Sequence, residues 1–218
     1  MESEKIMPKL IDTPEGLTLV AGDLSLRGDF AAMKDRLKPN NLNGEMLVRA
    51  AKTKSPVNGS APVAVDATAG LGEDSFLLAA AGFEVYLFER NETIAALLQD
   101  ALTRALADPA LAPVASRLHF TPGDSVAGLR ALPVRPDVVY LDPMFPTRQK
   151  SGLIKKKFQI LQLLERPCDD EESLLQAALE AQPTKIVIKR PAKAPVLGNK
   201  KPSYTISGNS IRYDIITP

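Results

Sequence analysis

VAVDATAGLGEDSF, residues 63–76, decides the fold. A β-branched run from Val63 to Ala67 meets Gly70 and Gly72 and then the polar start of a helix, which is the strand, glycine turn and helix of a parallel α/β sheet. Further strands are predicted at Glu84 to Phe88, Arg117 to Thr121, Asp137 to Leu141 and Lys185 to Lys189. Each is short and mostly apolar, as strands covered on both faces must be. Between them Asp74 to Ala81, Glu92 to Ala107, Ser125 to Leu132 and Glu171 to Ala181 are rich in alanine and straight-chain residues that favour helix. The rhythm breaks at the C-terminus, where SYTI and IRYDII flank Ser207, Gly208, Asn209 and Ser210 and predict an antiparallel hairpin. The expected fold is a Rossmann-like α/β sheet of seven strands, five parallel with a terminal antiparallel pair.

Upstream the pattern differs. Leu17 to Val20 and Leu24 to Arg27 flank Ala21, Gly22 and Asp23 as a hairpin, Asn43 to Lys52 reads as a helix, and Lys54 to Pro62 is a linker rich in Pro, Gly, Ser and Asn. Residues 1–61 are therefore an appendage and linker, and 62–218 the main domain.

Composition excludes several chemistries. With 218 residues, 44% hydrophobic and 24% charged, the chain is long enough to fold around its own core. Cys168 is the one cysteine, so no internal disulfide can form and a reducing cytoplasm is expected. His119 is the one histidine, which removes mechanisms built on paired imidazoles and any Cys/His metal cluster, so no metal is expected. No run approaches the ~18 apolar residues of a membrane span, and MESEKIMPKL lacks the basic-then-apolar pattern of a signal segment.

The strand ends carry the candidate chemistry. Gly70 and Gly72 let backbone N–H groups approach a ligand closely. A dinucleotide fingerprint would have a third glycine where this chain has Ser75, which weakens a nicotinamide reading. Asp66 ends its strand beside the turn and could attract the ammonium of an amino-acid-bearing cofactor such as S-adenosylmethionine. Glu89 ends the second strand, 19 residues beyond Gly70, where a carboxylate can accept both ribose hydroxyls. Gly123, Asp124 and Ser125 close the third, a common place for the adenine edge.

After the fourth strand comes VVYLDPMFP, with Asp142, Pro143, Met144 and Phe145. It resembles the Asp/Asn-Pro-Pro-Phe/Tyr motif of methyltransferases that act on exocyclic or amide nitrogens, with Met144 in place of the second proline. The reasoning behind such a motif is physical. Such a nitrogen is a poor nucleophile because its lone pair is delocalised into the ring or carbonyl it is attached to, so geometry must compensate. A carboxylate at Asp142 and a carbonyl near Pro143 can accept the amine's N–H groups and aim its lone pair, while Phe145 stacks on the extruded base.

DATAGLGEDSF, FERN, VVYLDPMFP, the basic segment ending KKKF, and VIKRP together resemble the 16S ribosomal RNA guanine-N2 methyltransferase J family, over roughly Val63 to Ile215. The resemblance implies a class I methyltransferase fold and methylation of a guanosine near the 3′ end of small-subunit ribosomal RNA. It implies S-adenosylmethionine contacts at Glu73 and Asp74, Glu89 and Arg90, Asp124 and Ser125, and Asp142. Where family members usually carry a basic residue, this chain has Glu73. The N-terminal part departs most, with RGDFAAMKDRLKPNNLNGE where an arginine- and glycine-rich segment is usual.

The net charge of +1 hides an uneven distribution. Arg148, Lys150, Lys155, Lys156 and Lys157 follow the acceptor motif with no acid among them, and Lys189 and Arg190 end the fifth strand. These residues are the expected RNA contacts. Two other functions fit parts of the pattern: an amino-methyltransferase for DNA adenine or protein glutamine, and a non-enzymatic RNA-binding assembly factor that retained the fold.

Overall fold

The computed structural model describes residues 7–54, 56, 61–143, 160, 164 and 171–218. The chain begins with β1 (Lys9–Thr13), β2 (Gly16–Ala21) and β3 (Leu24–Leu26), then α1 (Pro39–Leu42) and α2 (Met46–Ala51). The larger unit follows as β4 (Val63–Asp66), α3 (Glu73–Ala80), β5 (Glu84–Glu89), α4 (Glu92–Ala107), α5 (Ala112–Ala115), β6 (Leu118–Pro122), α6 (Ser125–Arg130) and β7 (Val138–Leu141). It closes with α7 (Glu171–Glu180), β8 (Lys185–Pro191), β9 (Tyr204–Ser207) and β10 (Ile211–Ile216).

The seven-stranded sheet runs β6-β5-β4-β7-β8-β10-β9. Its first five strands are parallel, and β10 pairs antiparallel with both β8 and β9, as the terminal hairpin predicted. The central strands β4 and β7 are buried at every position, which is why they read as continuous apolar runs. Strand order reverses between β4 and β7, so a crevice opens at their carboxyl ends.

Two helices are capped by side chains that the sequence supplies at the right place. Asn91 accepts from Thr93 and Ile94 N–H at the start of α4, and Asp124 accepts from Ala127 N–H at the start of α6. Helix α3 has no such cap and starts instead at Gly72, whose φ of 77° is left-handed. A Cβ at Gly72 would lie 2.7 Å from Leu98 Cδ1 and 3.1 Å from Phe30 Cζ, so glycine is required by packing as well.

The N-terminal part contains the predicted hairpin, β2 paired antiparallel with β3 from Leu19↔Leu26 to Ala21↔Leu24, and adds a strand to it. It is a three-stranded antiparallel sheet, because β1 pairs with β2 along its full length from Lys9↔Val20 to Thr13↔Gly16. β1 presents no buried face, so it carries no alternation a sequence reading could catch. The helix predicted over Asn43 to Lys52 starts later, at Met46, after the separate turn of α1. This part is packed into the main core: Phe30 stacks on Phe76 with ring centroids 4.3 Å apart, and Phe30, Met33 and Leu42 share one buried cluster with Leu77, Leu87 and Leu98. Each such buried side chain contributes about 1.5–3 kcal/mol, so the N-terminal segment braces the glycine turn. The linker read at Lys54 to Pro62 lies mostly outside the described residues.

His119, read as a core residue, is exposed on the edge strand β6, with Nε2 2.9 Å from Glu84 Oε2. β6 is the edge of the sheet and none of its positions is fully buried, so His119 stays exposed.

Candidate active site

The carboxyl ends of β4, β5, β7 and β8 bring most of the predicted site residues together. Glu89 leaves β5 with 8% of its surface exposed and accepts the N–H of Gly70 at 2.9 Å and of Asn91 at 2.8 Å. It therefore pins the glycine turn to the second strand. Burial pushes its carboxyl up, against the pull of those N–H donors and of Arg90. The Gly70 φ is 55°, and a Cβ built on Gly70 or Gly123 would meet nothing within 4 Å. Open space thus flanks Glu89 on both neighbouring loops, which fits an adenosine lying across the turn with its ribose on the carboxylate. Asp124, the N-cap of α6, is exposed at the rim of the same region, beside half-buried Ser125. Arg90 is exposed and Glu73 half-buried in the first turn of α3.

Asp66 has a more interior place than the sequence suggested. It is fully buried, accepts from the Ser75 hydroxyl at 2.6 Å and from Thr68 N–H at 3.0 Å, and burial pushes its carboxyl up to about 7. In this geometry its carboxylate holds the loop that displays the site, and a ligand's ammonium has no route to a group with zero exposure. Ser75, noted only as a missing glycine, is the residue that satisfies it.

A second network lies across the switch point. The Asp142 N–H donates to Thr68 Oγ1 at 2.7 Å. Asp142 Oδ2 lies 2.9 Å from Lys189 Nζ, which also donates to Asp74 Oδ2 at 2.8 Å, and the Tyr140 hydroxyl donates to that same Asp74 oxygen at 2.6 Å. Register explains the grouping. Tyr140 is paired with Val187 in the parallel β7–β8 ladder, so two residues on and on the same face Asp142 stands beside Lys189. Burial pushes the Asp142 carboxyl up while Lys189 holds it down; the Lys189 ammonium, which burial alone would lower, is kept above its ordinary value by Asp74 and Asp142. With Asp74 and Asp142 sharing one ammonium, this network is an acidic place that suits a cationic ligand such as a sulfonium.

Lys189 and Arg190 are both expected to face RNA; the structure corrects this for Arg190 and gives half-buried Lys189 two carboxylate partners. Arg190 is 2% exposed, donates from Nε to the Pro195 carbonyl at 2.9 Å and lies 3.7 Å from Glu171, because alternation along β8 turns it inward. Thr68, Tyr140 and the pairing role of Lys189 were not foreseen. Pro143 is buried beside Asp142, while Met144, Phe145, Arg148, Lys150, Lys155, Lys156 and Lys157 lie outside the described residues. Among the described residues no group of three or more His, Cys, Asp or Glu is placed to hold a metal ion, and no helix is long and apolar enough to cross a membrane.

The chain is similar to known methyltransferases. A family model described as "Putative SAM-dependent methyltransferase" matches residues 4–218. Ribosomal RNA small subunit methyltransferase J of Aeromonas salmonicida is 44% identical over 213 residues, covering 94% of this chain and 84% of that protein. Its namesake in Pseudomonas aeruginosa is 45% identical over 193 residues, covering 87% and 73%. Among solved structures, a SAM-dependent methyltransferase from Neisseria gonorrhoeae matches with a TM-score of 0.78 and 29% identity over 100% of this chain and 85% of that one. An rRNA methyltransferase from Streptomyces viridochromogenes, 16% identical with a TM-score of 0.53 over 82% of this chain and 84% of its own, shares the fold.

Proposed function

The chain belongs to the SAM-dependent methyltransferase family that includes the small-subunit ribosomal RNA methyltransferases J, and from that membership we propose that it methylates the exocyclic N2 of a guanosine near the 3′ end of 16S ribosomal RNA, in the cytoplasm. The observation that carries the reading is the place of Asp142 and Pro143: at the carboxyl end of β7, at the switch point, within one network with the glycine turn.

S-adenosylmethionine, when bound, supplies a methyl group on a sulfonium as the electrophile. The residues that would hold it are Glu89 toward the ribose hydroxyls, Gly70 and Gly72 at the turn, and Asp124 and Ser125 at the rim, with Glu73, Asp74 and Arg90 as nearby polar contacts. The work of Asp142 is orientation. Its carboxylate accepts one N–H of the target amine, the Pro143 region offers a carbonyl for the other, and the lone pair is left facing the methyl. Phe145 is the stacking partner for a base drawn out of its helix. Arg148, Lys150 and Lys155 to Lys157 supply phosphate contacts beside the motif.

The test is to incubate the protein and methyl-labelled S-adenosylmethionine with small ribosomal subunits lacking the modification, with free 16S ribosomal RNA and with duplex DNA, and to map the labelled atom. Label on guanine N2 of the subunit or its RNA is the expected result. Label on adenine of the DNA, or none, would replace the reading.

A further inference from the structure

Lys189 stands between two carboxylates at the switch point of the sheet. Its ammonium is 2.8 Å from Asp74 Oδ2 and 2.9 Å from Asp142 Oδ2. We infer that Lys189 is a positioning residue for methyl transfer: anchored on Asp74, its ammonium holds one oxygen of Asp142 and leaves the other to accept the target amine. The inference rests on the reading of Asp142 given above.

Three observations converge. An ammonium has donors and no acceptor, so whichever carboxylate oxygen it binds is fixed as an acceptor and the orientation of the pair is set. The anchor is itself held, since the Tyr140 hydroxyl donates at 2.6 Å to the same Asp74 oxygen, and Tyr140 is buried with its ring 6.5 Å from that of Tyr213. A lysine gripped from one side only would swing; this one is gripped from helix α3 through Asp74 and from the end of β7 through Asp142. Third, the surroundings of Asp142 leave Lys189 as its close cation. Facing it are Asp66 and Asp74, which are like charges or potential ones, Tyr140 and Tyr213, whose hydroxyls burial keeps protonated, and Arg190, which contributes less than Lys189. Burial already pushes the Asp142 carboxyl up. Without Lys189 it would take up a proton at a higher pH than in the wild type, and the oxygen meant to accept the amine would then become a donor pointed at another donor.

The experiment is a carbon-13 NMR titration of aspartate carboxyls in the whole protein without RNA, for wild type and Lys189→Met, with Asp142→Asn to assign the signal. The Asp142 midpoint should rise by about 1 to 3 pH units, the effect of losing one close opposite charge. Lys189→Gln keeps a donor and most of the volume but no charge, so it reads the same shift where methionine costs the fold, and Lys189→Arg should leave the midpoint near wild type. In single-turnover methylation, the acid limb of the rate should climb with the midpoint. An unmoved midpoint in a folded uncharged variant overturns the inference, and so does a moved midpoint with an unmoved acid limb. If wild type puts no methyl on guanine while the midpoint still moves, the function reading has failed and the pairing has not.

Discussion

The side-chain hydroxyl of Thr68 accepts the backbone N–H of Asp142 at 2.7 Å, while the N–H of Thr68 donates to Asp66 at 3.0 Å. One residue thus joins the end of β4, the glycine turn and the acceptor motif after β7. The two loops that must hold methyl donor and methyl acceptor in line are tied through a single side chain, so an error in one is carried to the other.

Thr68→Val keeps the shape and removes the acceptor, leaving a half-buried N–H unpaired at a cost of about 1–3 kcal/mol. Calorimetry should show that loss, and single-turnover rates should fall more than S-adenosylmethionine affinity, because alignment suffers before binding does. Thr68→Ser should recover most of both. A valine variant with wild-type stability and rate would mean that the tie carries no strain between the loops.

Asp66 makes stability depend on pH in a direction opposite to that of a salt-bridged carboxylate. Its carboxyl is pushed up to about 7 by burial, against 3.8 for an ordinary aspartate. Between those values the folded protein holds a proton that the unfolded chain has lost. Stability from this group is therefore complete below the unfolded value and is lost as pH rises through about 7. Asp66→Asn removes the titration and keeps partners for Ser75 and Thr68. The melting temperature of the variant relative to wild type should climb between roughly pH 4 and 7 and level off above. A difference that stays flat across that window would show that Asp66 is ionised throughout.

Arg190 and the lysines at 155–157 should separate cleanly. Arg190→Ala removes a buried side chain that bonds Pro195 and lies against Glu171, so it should lower stability and leave the salt dependence of RNA binding unchanged. Replacing Lys155, Lys156 and Lys157 by alanine should do the reverse, reducing the slope of log affinity against log salt by about 2 to 3. Filter binding across a salt series, with melting curves, measures both. A reduced slope for Arg190→Ala would return it to the RNA surface.

The sheet was legible in the sequence because its strands are apolar runs bounded by glycine and acidic ends, and Glu89 was legible because the end of a second strand has a fixed relation to the first glycine turn. What could not be read was register. Nothing in LDP and IKRP says that Asp142 will stand beside Lys189; that follows only once Tyr140 is known to pair with Val187. The same blindness made Lys189 and Arg190 look alike, two adjacent cations in a basic stretch, when alternation sends one into the crevice and buries the other against the Pro195 carbonyl and Glu171. β1 was missed for a different reason, having no buried face to set a period. The Phe30–Phe76 stack, formed by residues 46 positions apart in the chain, belongs to packing that a local pattern does not encode.

Asparagine at position 142 discriminates between holding the amine and taking its proton. Asp142→Ala removes the acceptor, and loss of one preorganised contact to a transition state costs on the order of 10² to 10³ in turnover. Asparagine keeps a carbonyl, yet Lys189, with only donors to offer, will capture it and turn the amide NH₂ toward the target amine. Asp142→Asn should therefore be about as poor as Asp142→Ala in single-turnover assays at saturating RNA and cofactor. Adding Lys189→Met should free the amide to turn its carbonyl to the amine and return about tenfold, roughly the worth of one hydrogen bond at ~1.4 kcal/mol. A general base would behave otherwise, because neither the single nor the double variant has a group that can accept a proton, and the second substitution would return nothing. Proton loss from a methylated amine is easy once the new bond exists, which is why orientation is the expected role. Partial recovery in the double variant, with both proteins folded and binding cofactor, supports it; no recovery assigns Asp142 to proton removal.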